Sequence, residues 1–295
     1  VLTIGLAISC TPKGSGETGR VGSETGVVTE LYNVSSHGEW ISVGAGDIHS
    51  CGITVDSSIE CWGCSNQDPV DGLDGRRCSP PDGAFDELSL YGEYNCARDG
   101  SDFVCWIDRY IENIVPPIPE TETIAVAAGR WGICLVNDEN EAGCWTIDGA
   151  EPSPEKHLFQ GIDVGHGYAC GLLINSHLSC WGSSAYLADE MYVEESFIDV
   201  DVGYSGHVCA ISTENIIQCW GSGSSGYKVP SDEADYTDVE CGSNYTCAIR
   251  KDRTLKCWGG RQQNMEEVPE GTFEMLAGGQ YHACALRNDG HVVCW

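Results

Sequence analysis

The sequence repeats one short unit seven times, and this repetition constrains the fold more than any other feature. Each unit contains a first cysteine, a polar segment and a second cysteine that is followed directly by tryptophan. The two cysteines are 10 residues apart in six units and 9 residues apart in one, and successive first cysteines are 36 to 45 residues apart. A unit of this size cannot bury a core alone, so the units are expected to stack on one another.

Within a unit, the alternation of apolar and polar residues predicts three short strands, with the cysteines on the second and third. In the last unit, an antiparallel hairpin that pairs Cys284 with Cys294 leaves Asn288-Asp289-Gly290 as its loop. Loops of this length favour a type I turn followed by glycine in the left-handed region. The unit with the shorter spacing leaves Gly100-Ser101, which suits a two-residue turn. Both spacings therefore place the two cysteines opposite each other, within disulfide reach.

We predict one disulfide in each unit, and hence an oxidising compartment. Each bridge closes a short loop and is expected to contribute roughly 2–3 kcal/mol at most. The predicted pairs are Cys51–Cys61, Cys96–Cys105, Cys134–Cys144, Cys170–Cys180, Cys209–Cys219, Cys247–Cys257 and Cys284–Cys294.

Four cysteines lie outside these pairs: Cys10, Cys64, Cys78 and Cys241. Cys61-Trp62-Gly63-Cys64 has the spacing of a redox dithiol, but it lacks the strand-to-helix setting of such a motif. We therefore predict a bridge from Cys64 to Cys78. Cys241 has no partner and is interpreted as a small buried apolar residue, with an intermolecular bridge as the alternative.

The units, written as H-x-C-A-L-x-x-D-G-x-x-x-C-W-G, resemble the repeats of the regulator of chromosome condensation superfamily. The resemblance covers about residues 40 to 295 and is strongest to secreted bacterial members and to crinkly-type receptor ectodomains, which also carry paired cysteines. It implies an all-β, seven-bladed β-propeller of short antiparallel blades. The tryptophan after each second cysteine points to the opposite side of its strand and is predicted to fill the space between neighbouring blades. The apolar stretch 26–34 is predicted to pair with the last blade and close the ring.

The first ten residues, VLTIGLAISC, are a short apolar run that we interpret as the end of a secretory signal. Ala7 to Cys10 resembles the lipobox of bacterial lipoproteins, which predicts lipidation of Cys10; an ordinary signal with a coincidental cysteine is the alternative. Residues 11–26 are rich in glycine, serine, threonine and charge, and predict a flexible tether. Residues 27–295 are assigned to the propeller. The expected location is extracellular or in a bacterial cell envelope.

The net charge of -30 disfavours nucleic-acid binding, which requires a positive surface. The sequence has no nucleophile-elbow, zinc-protease, phosphate-loop or dinucleotide motif, so we predict no enzyme activity, cofactor or metal. His49, His207 and His282 occupy equivalent positions in three units; such positions lie apart around a ring, so a structural role is predicted for them rather than metal binding.

The predicted function is therefore a monomeric, non-enzymatic binding scaffold for a protein or another surface ligand, with membrane contact only through a lipid anchor. The alternative is a secreted enzyme or enzyme inhibitor that uses loops on a propeller face. The least regular stretches, 63–87 and 107–123, are the predicted binding loops.

Overall fold

A computed structural model shows the architecture of the chain, and the residues that it describes form 25 β-strands. It describes residues 18–22, 28–34, 39–63, 78–92, 94–100, 102–107, 122–130, 132–146, 149–152, 157–182, 191–221, 229, 235–260 and 265–295. Among these residues no helix is long and apolar enough to cross a membrane.

The strands form seven antiparallel sheets, one for each repeat, which we call blades 1 to 7. Blades 1, 2, 5 and 6 have three strands each: β3 (Trp40–Ala45), β4 (Ser50–Thr54) and β5 (Ile59–Trp62); β6 (Glu87–Tyr91), β7 (Tyr94–Asp99) and β8 (Asp102–Ile107); β17 (Phe197–Val202), β18 (His207–Ser212) and β19 (Ile217–Gly221); β20 (Tyr236–Cys241), β21 (Tyr245–Arg250) and β22 (Leu255–Gly259). Blades 3 and 4 have four: β9 (Thr123–Ala128), β10 (Gly132–Asn137), β11 (Ala142–Thr146) and β12 (Gly149–Pro152); β13 (Phe159–Val164), β14 (Tyr168–Leu173), β15 (Leu178–Gly182) and β16 (Met191–Val193).

Blade 7 has five strands and contains both ends of the described chain. Its strands are β23 (Phe273–Gly278), β24 (Ala283–Arg287), β25 (Val292–Cys294), β2 (Val28–Val34) and β1 (Thr18–Gly22). The pairing of β2 with β25 runs from Tyr32 opposite Cys294 to Val34 opposite Val292. This is the pairing predicted for residues 26–34, and it covers the outer edge that β25 would otherwise leave open.

Strand β1 differs from the prediction that residues 11–26 are a flexible tether. Thr18–Gly22 pair with Val28–Val34 in an antiparallel hairpin. The physical reason is that an edge strand offers unpaired backbone groups to any neighbouring segment, whatever the composition of that segment. The assignments of residues 1–10 and of Cys10 fall outside the described residues.

All seven predicted disulfides are present, each joining the second and third strands of its blade. The paired Cα atoms are 4.0–4.1 Å apart, and each cysteine lies directly opposite its partner in the strand register. Cys78 is also disulfide-bonded. Its predicted partner, Cys64, lies outside the described residues, so that pairing stays a prediction.

The tryptophans fill the space between blades, as predicted. Trp62 packs with residues of blade 7, and Trp181 with residues of blade 3. In four blades the tryptophan also contacts the aromatic residue that begins the inner strand; the ring centroids of Phe197 and Trp220, for example, are 5.7 Å apart. The core is therefore a series of layers between neighbouring blades, including blades 7 and 1, and it confirms the all-β, seven-bladed propeller.

Candidate binding face and central cavity

One face of the ring carries the turns between the second and third strands of each blade, and we call it the turn face. The beginning of each inner strand lies at this same end, because the inner strand pairs antiparallel with the end of the second strand. In the six blades with a three-residue turn, the third residue has a positive φ, from 62° at Asn215 to 80° at Gly290. In the two-residue turn of blade 2, Gly100 has a φ of 61°. The predicted turn geometry at Asn288-Asp289-Gly290 is thus confirmed.

These turns also hold the ring together. The carbonyl of the left-handed residue accepts a hydrogen bond from the first inner-strand residue of the next blade, as in Phe197 N to Ser176 O at 2.7 Å. The same bond joins blades 7 and 1, from Trp40 N to Gly290 O at 3.0 Å. Because this bond repeats around the ring, the turns of neighbouring blades lie on a common surface.

Most of the exposed large apolar side chains lie on the turn face. Of the nine among the described residues, only Tyr281 lies at the opposite face, and Tyr192 lies on the outer strand β16, where its hydroxyl is 2.6 Å from His177 Nδ1 at the blade 4 turn. The other seven begin an inner strand or flank a turn: Ile41, Val55, Ile124, Leu158, Ile174, Ile198 and Ile216. Five of them belong to the consecutive blades 3, 4 and 5, and we call these five the apolar patch: Ile124, Leu158, Ile174, Ile198 and Ile216.

A β-bulge explains why an inner strand can expose an isoleucine. In blade 5 the register shifts between Phe197 and Asp199, so Ile198 has no residue opposite it. Phe197 is completely buried, while Ile198 is 48% exposed. A bulge of this kind redirects one side chain without ending the strand. Next to Ile198, a cavity of about 390 Å³ between blades 4 and 5 is lined by residues that include Gly161, Leu172 and Val200.

The surroundings of the apolar patch are acidic. Between residues 122 and 221 the sequence has only two lysines or arginines, Arg130 and Lys156. Arg130 lies in the connection between β9 and β10, which is at the opposite face, and Lys156 lies outside the described residues. Exposed acids flank the patch at Glu122, Asp138, Glu139, Glu195 and Glu214.

Blades 2, 6 and 7 differ from this acidic region, because acids there have basic neighbours. Arg98 contacts both Asp86 and Glu87, with the shorter distance 2.7 Å, and Arg253 lies 3.0 Å from Glu274. Blade 1 resembles blades 3 to 5, since Ile41 and Val55 are exposed and residues 39–63 contain no lysine or arginine. Blades 3 to 5 are therefore the longest continuous part of the turn face that combines exposed apolar side chains with acids that have no basic neighbour.

The opposite face carries the connections between first and second strands, and we call it the loop face. Here the predicted structural histidines bond the neighbouring blade. His282 Nε2 lies 2.8 Å from Ser50 Oγ, and His207 Nε2 lies 3.2 Å from Thr246 Oγ1. His49 Nε2 lies 2.7 Å from the side-chain amide of Asn95.

Burial lowers the pKa of His207 and of His282 to about 4, so both are neutral near pH 7. Tyrosine side chains bond the neighbouring blade in two other places. Tyr168 of blade 4 donates to the His207 carbonyl of blade 5 at 3.2 Å, and Tyr245 of blade 6 donates to the Gly279 carbonyl of blade 7 at 2.8 Å. The three histidines therefore join blades and do not converge on a common point.

The centre of the ring contains five carboxyl groups on the inner strands of blades 4, 5 and 6. They accept hydrogen bonds from backbone N–H groups of the next blade: Val202 to Asp163 at 2.6 Å, Val239 to Asp199 at 3.3 Å, Cys241 to Asp201 at 2.6 Å, Leu276 to Asp238 at 3.1 Å and Gly278 to Glu240 at 2.9 Å. Burial raises the pKa of all five groups, because a charged carboxylate loses hydration inside the ring.

Three of these carboxyl groups, from Asp163, Asp201 and Glu240, line a central cavity of about 240 Å³. Two tyrosines also line it: the rings of Tyr91 and Tyr204 are stacked with centroids 3.8 Å apart. Tyr204 reaches across from blade 5, and its hydroxyl accepts a hydrogen bond from the Gly92 N–H of blade 2 at 3.0 Å.

Cys241 is a buried free thiol, in agreement with its interpretation as a small apolar residue. Its sulfur lies within 4.8 Å of ligand atoms of His207 and Cys209. These three residues do not form a metal site, because the Cys209 sulfur is bonded to Cys219.

The predicted binding loops, 63–87 and 107–123, fall largely outside the described residues, as 64–77 and 108–121 do. Sequence reasoning missed both the apolar patch and the central cavity. The alternating acids in FIDVDV and YTDVEC carried a signal for the cavity, since residues two apart on a strand point to the same side.

Comparison with known proteins supports the repeat and the fold. The repeat model of the regulator of chromosome condensation matches residues 236–263 and 276–295, which contain all three strands of blade 6 and, in blade 7, β24, β25 and the end of β23. The resemblance stated from the sequence is thereby confirmed.

Solved structures with the same fold include proteins from plants and yeast. The crinkly ectodomain of the receptor kinase ACR4 from Arabidopsis thaliana is 20% identical, with a TM-score of 0.69 over 88% of this chain and 98% of that one. The ectodomain of the receptor kinase CR4 from Physcomitrella patens is 21% identical, with a TM-score of 0.68 over 88% and 73%. Prp20p from Saccharomyces cerevisiae, whose structure is described with its binding to Gsp1p and histones, is 13% identical, with a TM-score of 0.65 over 86% and 82%. At these identities the likeness shows the fold alone.

Proposed function

We propose that this chain is an extracellular, non-enzymatic scaffold that binds a protein partner on the turn face of blades 3 to 5. The observation that carries the proposal is the apolar patch, whose five side chains are 37–55% exposed on three consecutive blades. Exposed large apolar side chains that are concentrated on one part of a soluble protein favour the binding of another molecule there. Propellers of this type act as protein-interaction scaffolds in relatives, as the binding of Prp20p to Gsp1p and histones illustrates.

The charges around the patch indicate the chemistry of the partner. The acids Glu122, Asp138, Glu139, Glu195 and Glu214 have no lysine or arginine among the described residues of blades 3 to 5 on this face. A partner surface with apolar side chains at its centre and basic side chains at its rim fits this arrangement. An acidic surface would be repelled by it.

The extracellular part of the proposal rests on the disulfides. Seven bridges in one chain would not persist in a reducing cytosol. Two of the structural neighbours are receptor ectodomains, which is consistent with this location. Attachment to a cell envelope through a lipid on Cys10, and the monomeric state, remain proposals that rest on the sequence.

An enzyme is the second candidate, and no specific observation favours it. His207 and His282 bond neighbouring blades, and burial lowers the pKa of each to about 4. Both are therefore weaker bases than an ordinary histidine. An inhibitor of a secreted enzyme is a special case of the binding scaffold and would use the same face.

Replacing one apolar residue of the patch by an acid is expected to weaken partner binding without unfolding the protein. Ile198→Asp adds a charge at the centre of the patch, and we expect at least a tenfold loss of affinity, as for other interface anchors. Tyr281→Asp is the matched control, because Tyr281 is 42% exposed but lies on the loop face. It should change the affinity less than twofold.

The measurement is the dissociation constant of each variant for a partner isolated with the full chain, with thermal melts to verify folding. Equal losses of affinity in the two variants would contradict the proposed face, and a larger loss of affinity in Tyr281→Asp would place the site on the loop face.

A further inference from the structure

Gly161 leaves a space between blades 4 and 5 at the turn face. It lies on the inner strand of blade 4 opposite Leu172, and a Cβ atom added to it would have no heavy atom within 4 Å apart from its chain neighbours. Its φ is not positive, so the backbone does not require glycine there. The cavity of about 390 Å³ next to Ile198, which we call the interblade pocket, occupies this space. Protein interiors contain few voids of such size.

At four other junctions the residue equivalent to Gly161 has a side chain that reaches the next blade. It accepts a hydrogen bond from a backbone N–H of the neighbouring inner strand, as Asp199 does from Val239 at 3.3 Å. Between blades 4 and 5 the corresponding N–H, that of Val200, bonds Asp199 Oδ1 of its own strand at 2.9 Å. Gly161 therefore opens the pocket without leaving this donor unpaired. The four residues with the longer side chains are Glu87, Asp199, Asp238 and Met275.

The walls of the interblade pocket are mostly apolar. Asp199 is the only charged residue in its lining, and both oxygens of that carboxyl group already accept backbone N–H groups. Gln160 and Ile198 line the pocket and are exposed, so it opens on the turn face beside the apolar patch. Its volume lies in the range of ~300–1,000 Å³ found for pockets that hold ligands. The aliphatic residues of the lining are Ile162, Leu172, Ile198 and Val200.

The surface around the pocket is complementary to positive charge. Residues 157–182 and 191–221, which are the described parts of blades 4 and 5, contain no lysine or arginine. Glu195 and Glu214 are exposed at the turn-face end of blade 5. A segment with an apolar side chain between basic residues matches both the pocket and its surroundings.

We propose that the interblade pocket holds one large apolar side chain of the protein partner, from a segment in which basic residues flank that side chain. This inference rests on the proposed function, because the partner is the protein bound on the turn face. Gly161 provides the space and Ile198 contacts the inserted side chain at the rim. An anchor of this kind, enclosed in a preformed pocket, supplies a large share of the binding energy of an interface.

A titration of the full, disulfide-bonded chain with short peptides tests the pocket without the partner. The peptide is lysine-phenylalanine-lysine, blocked at both ends, and binding is followed by the NMR signals of isoleucine methyl groups. We expect saturable binding with shifts at Ile162 and Ile198. A peptide with alanine at its centre should bind roughly tenfold more weakly. A peptide with glutamate in place of both lysines should bind about threefold more weakly at low ionic strength.

Absence of saturable binding of the phenylalanine peptide would overturn the proposal, and so would equal binding of either control peptide. This comparison uses the unaltered chain and does not depend on the folding of any variant.

Gly161→Met fills the pocket with the side chain that blade 7 has at the equivalent position, Met275. We expect it to weaken binding of the phenylalanine peptide roughly tenfold or more. Its urea unfolding midpoint should equal or exceed that of the unaltered chain, because the side chain fills a cavity and restricts the unfolded state.

Thr237→Met is the matched control. Thr237 is exposed at the β-bulge of blade 6, so the same side chain is added to the turn face away from the pocket. It should leave peptide binding unchanged. Equal peptide affinity in Gly161→Met and Thr237→Met would overturn the assignment to this pocket.

The affinity for the isolated partner distinguishes this inference from the proposed function. Ile198→Asp tests the turn face, whereas Gly161→Met tests the pocket alone. Loss of partner affinity in both variants supports both. If only Ile198→Asp weakens partner binding, the partner uses the face without the pocket, and this inference is wrong while the proposed function stands. If neither variant weakens it, the proposed function is wrong as well.

Discussion

Complete reduction of the seven blade disulfides is expected to unfold the protein under conditions in which the oxidised chain is native. Each bridge closes a loop of about ten residues, which corresponds to roughly 2–3 kcal/mol of stabilisation in the chain-entropy description. Seven such bridges together contribute roughly 14–21 kcal/mol at most, which exceeds the ~5–15 kcal/mol typical of a domain. Most of the bonded cysteines are buried, so reduction should be performed in mild denaturant.

Urea titrations monitored by tryptophan fluorescence and circular dichroism, with and without reductant, measure this effect. A chain in which only Cys134 and Cys144 are replaced by alanine is the matched control and should lose only about 2–3 kcal/mol. If the fully reduced chain has the same urea unfolding midpoint as the variant that lacks only the Cys134–Cys144 bridge, the blades are held mainly by contacts other than disulfides.

Phe197→Ala is expected to cost about 3–5 kcal/mol of unfolding free energy, the largest loss for a single side chain considered in this propeller. Phe197 is completely buried between blades 4 and 5, where it contacts Trp220 edge to face. Removing the ring leaves a cavity that the disulfide-bonded strands on either side cannot easily fill. Ile198→Ala changes the next residue, which the β-bulge exposes, and should alter stability by less than about 0.5 kcal/mol.

Urea unfolding of both variants measures the difference between these neighbours. Together with Ile198→Asp, the pair separates two roles on one strand: Phe197 stabilises the layer between blades, and Ile198 is proposed to contact the partner. Similar losses of unfolding free energy for Phe197→Ala and Ile198→Ala would contradict the β-bulge, which buries the first side chain and exposes the second.

Features confined to one repeat could be predicted from the sequence. The spacing of Cys284 and Cys294 determined the opposed register and the three-residue turn, and the shorter spacing of Cys96 and Cys105 determined the two-residue turn. These depend on strand alternation and turn geometry over about ten residues, which a local pattern contains. Closure by residues 26–34 was also predictable, because a chain of repeats leaves one open edge.

Features created by the ring could not be predicted in the same way. Asp163, Asp201 and Glu240 are separated by nearly 40 residues each, and only the arrangement of blades brings them to one cavity. The exposure of Ile198 depends on a bulge, which shifts the strand register by one residue and has no distinct signature in this sequence. Strand β1 was missed because its composition is typical of a tether, while its structure comes from pairing with Val28–Val34.

The most direct test of the central claim is to map the partner onto the two faces of the propeller. A photo-crosslinking amino acid is placed at Ile124, Ile174 or Ile198 on the turn face, and at His166 or Tyr281 on the loop face, in otherwise unchanged full-length protein. The proposed function predicts a discrete, saturable adduct with one protein from the turn-face positions, which free wild-type chain suppresses, and little from the loop-face positions. Adducts from His166 and Tyr281 alone, or equal labelling at all five positions, would contradict it.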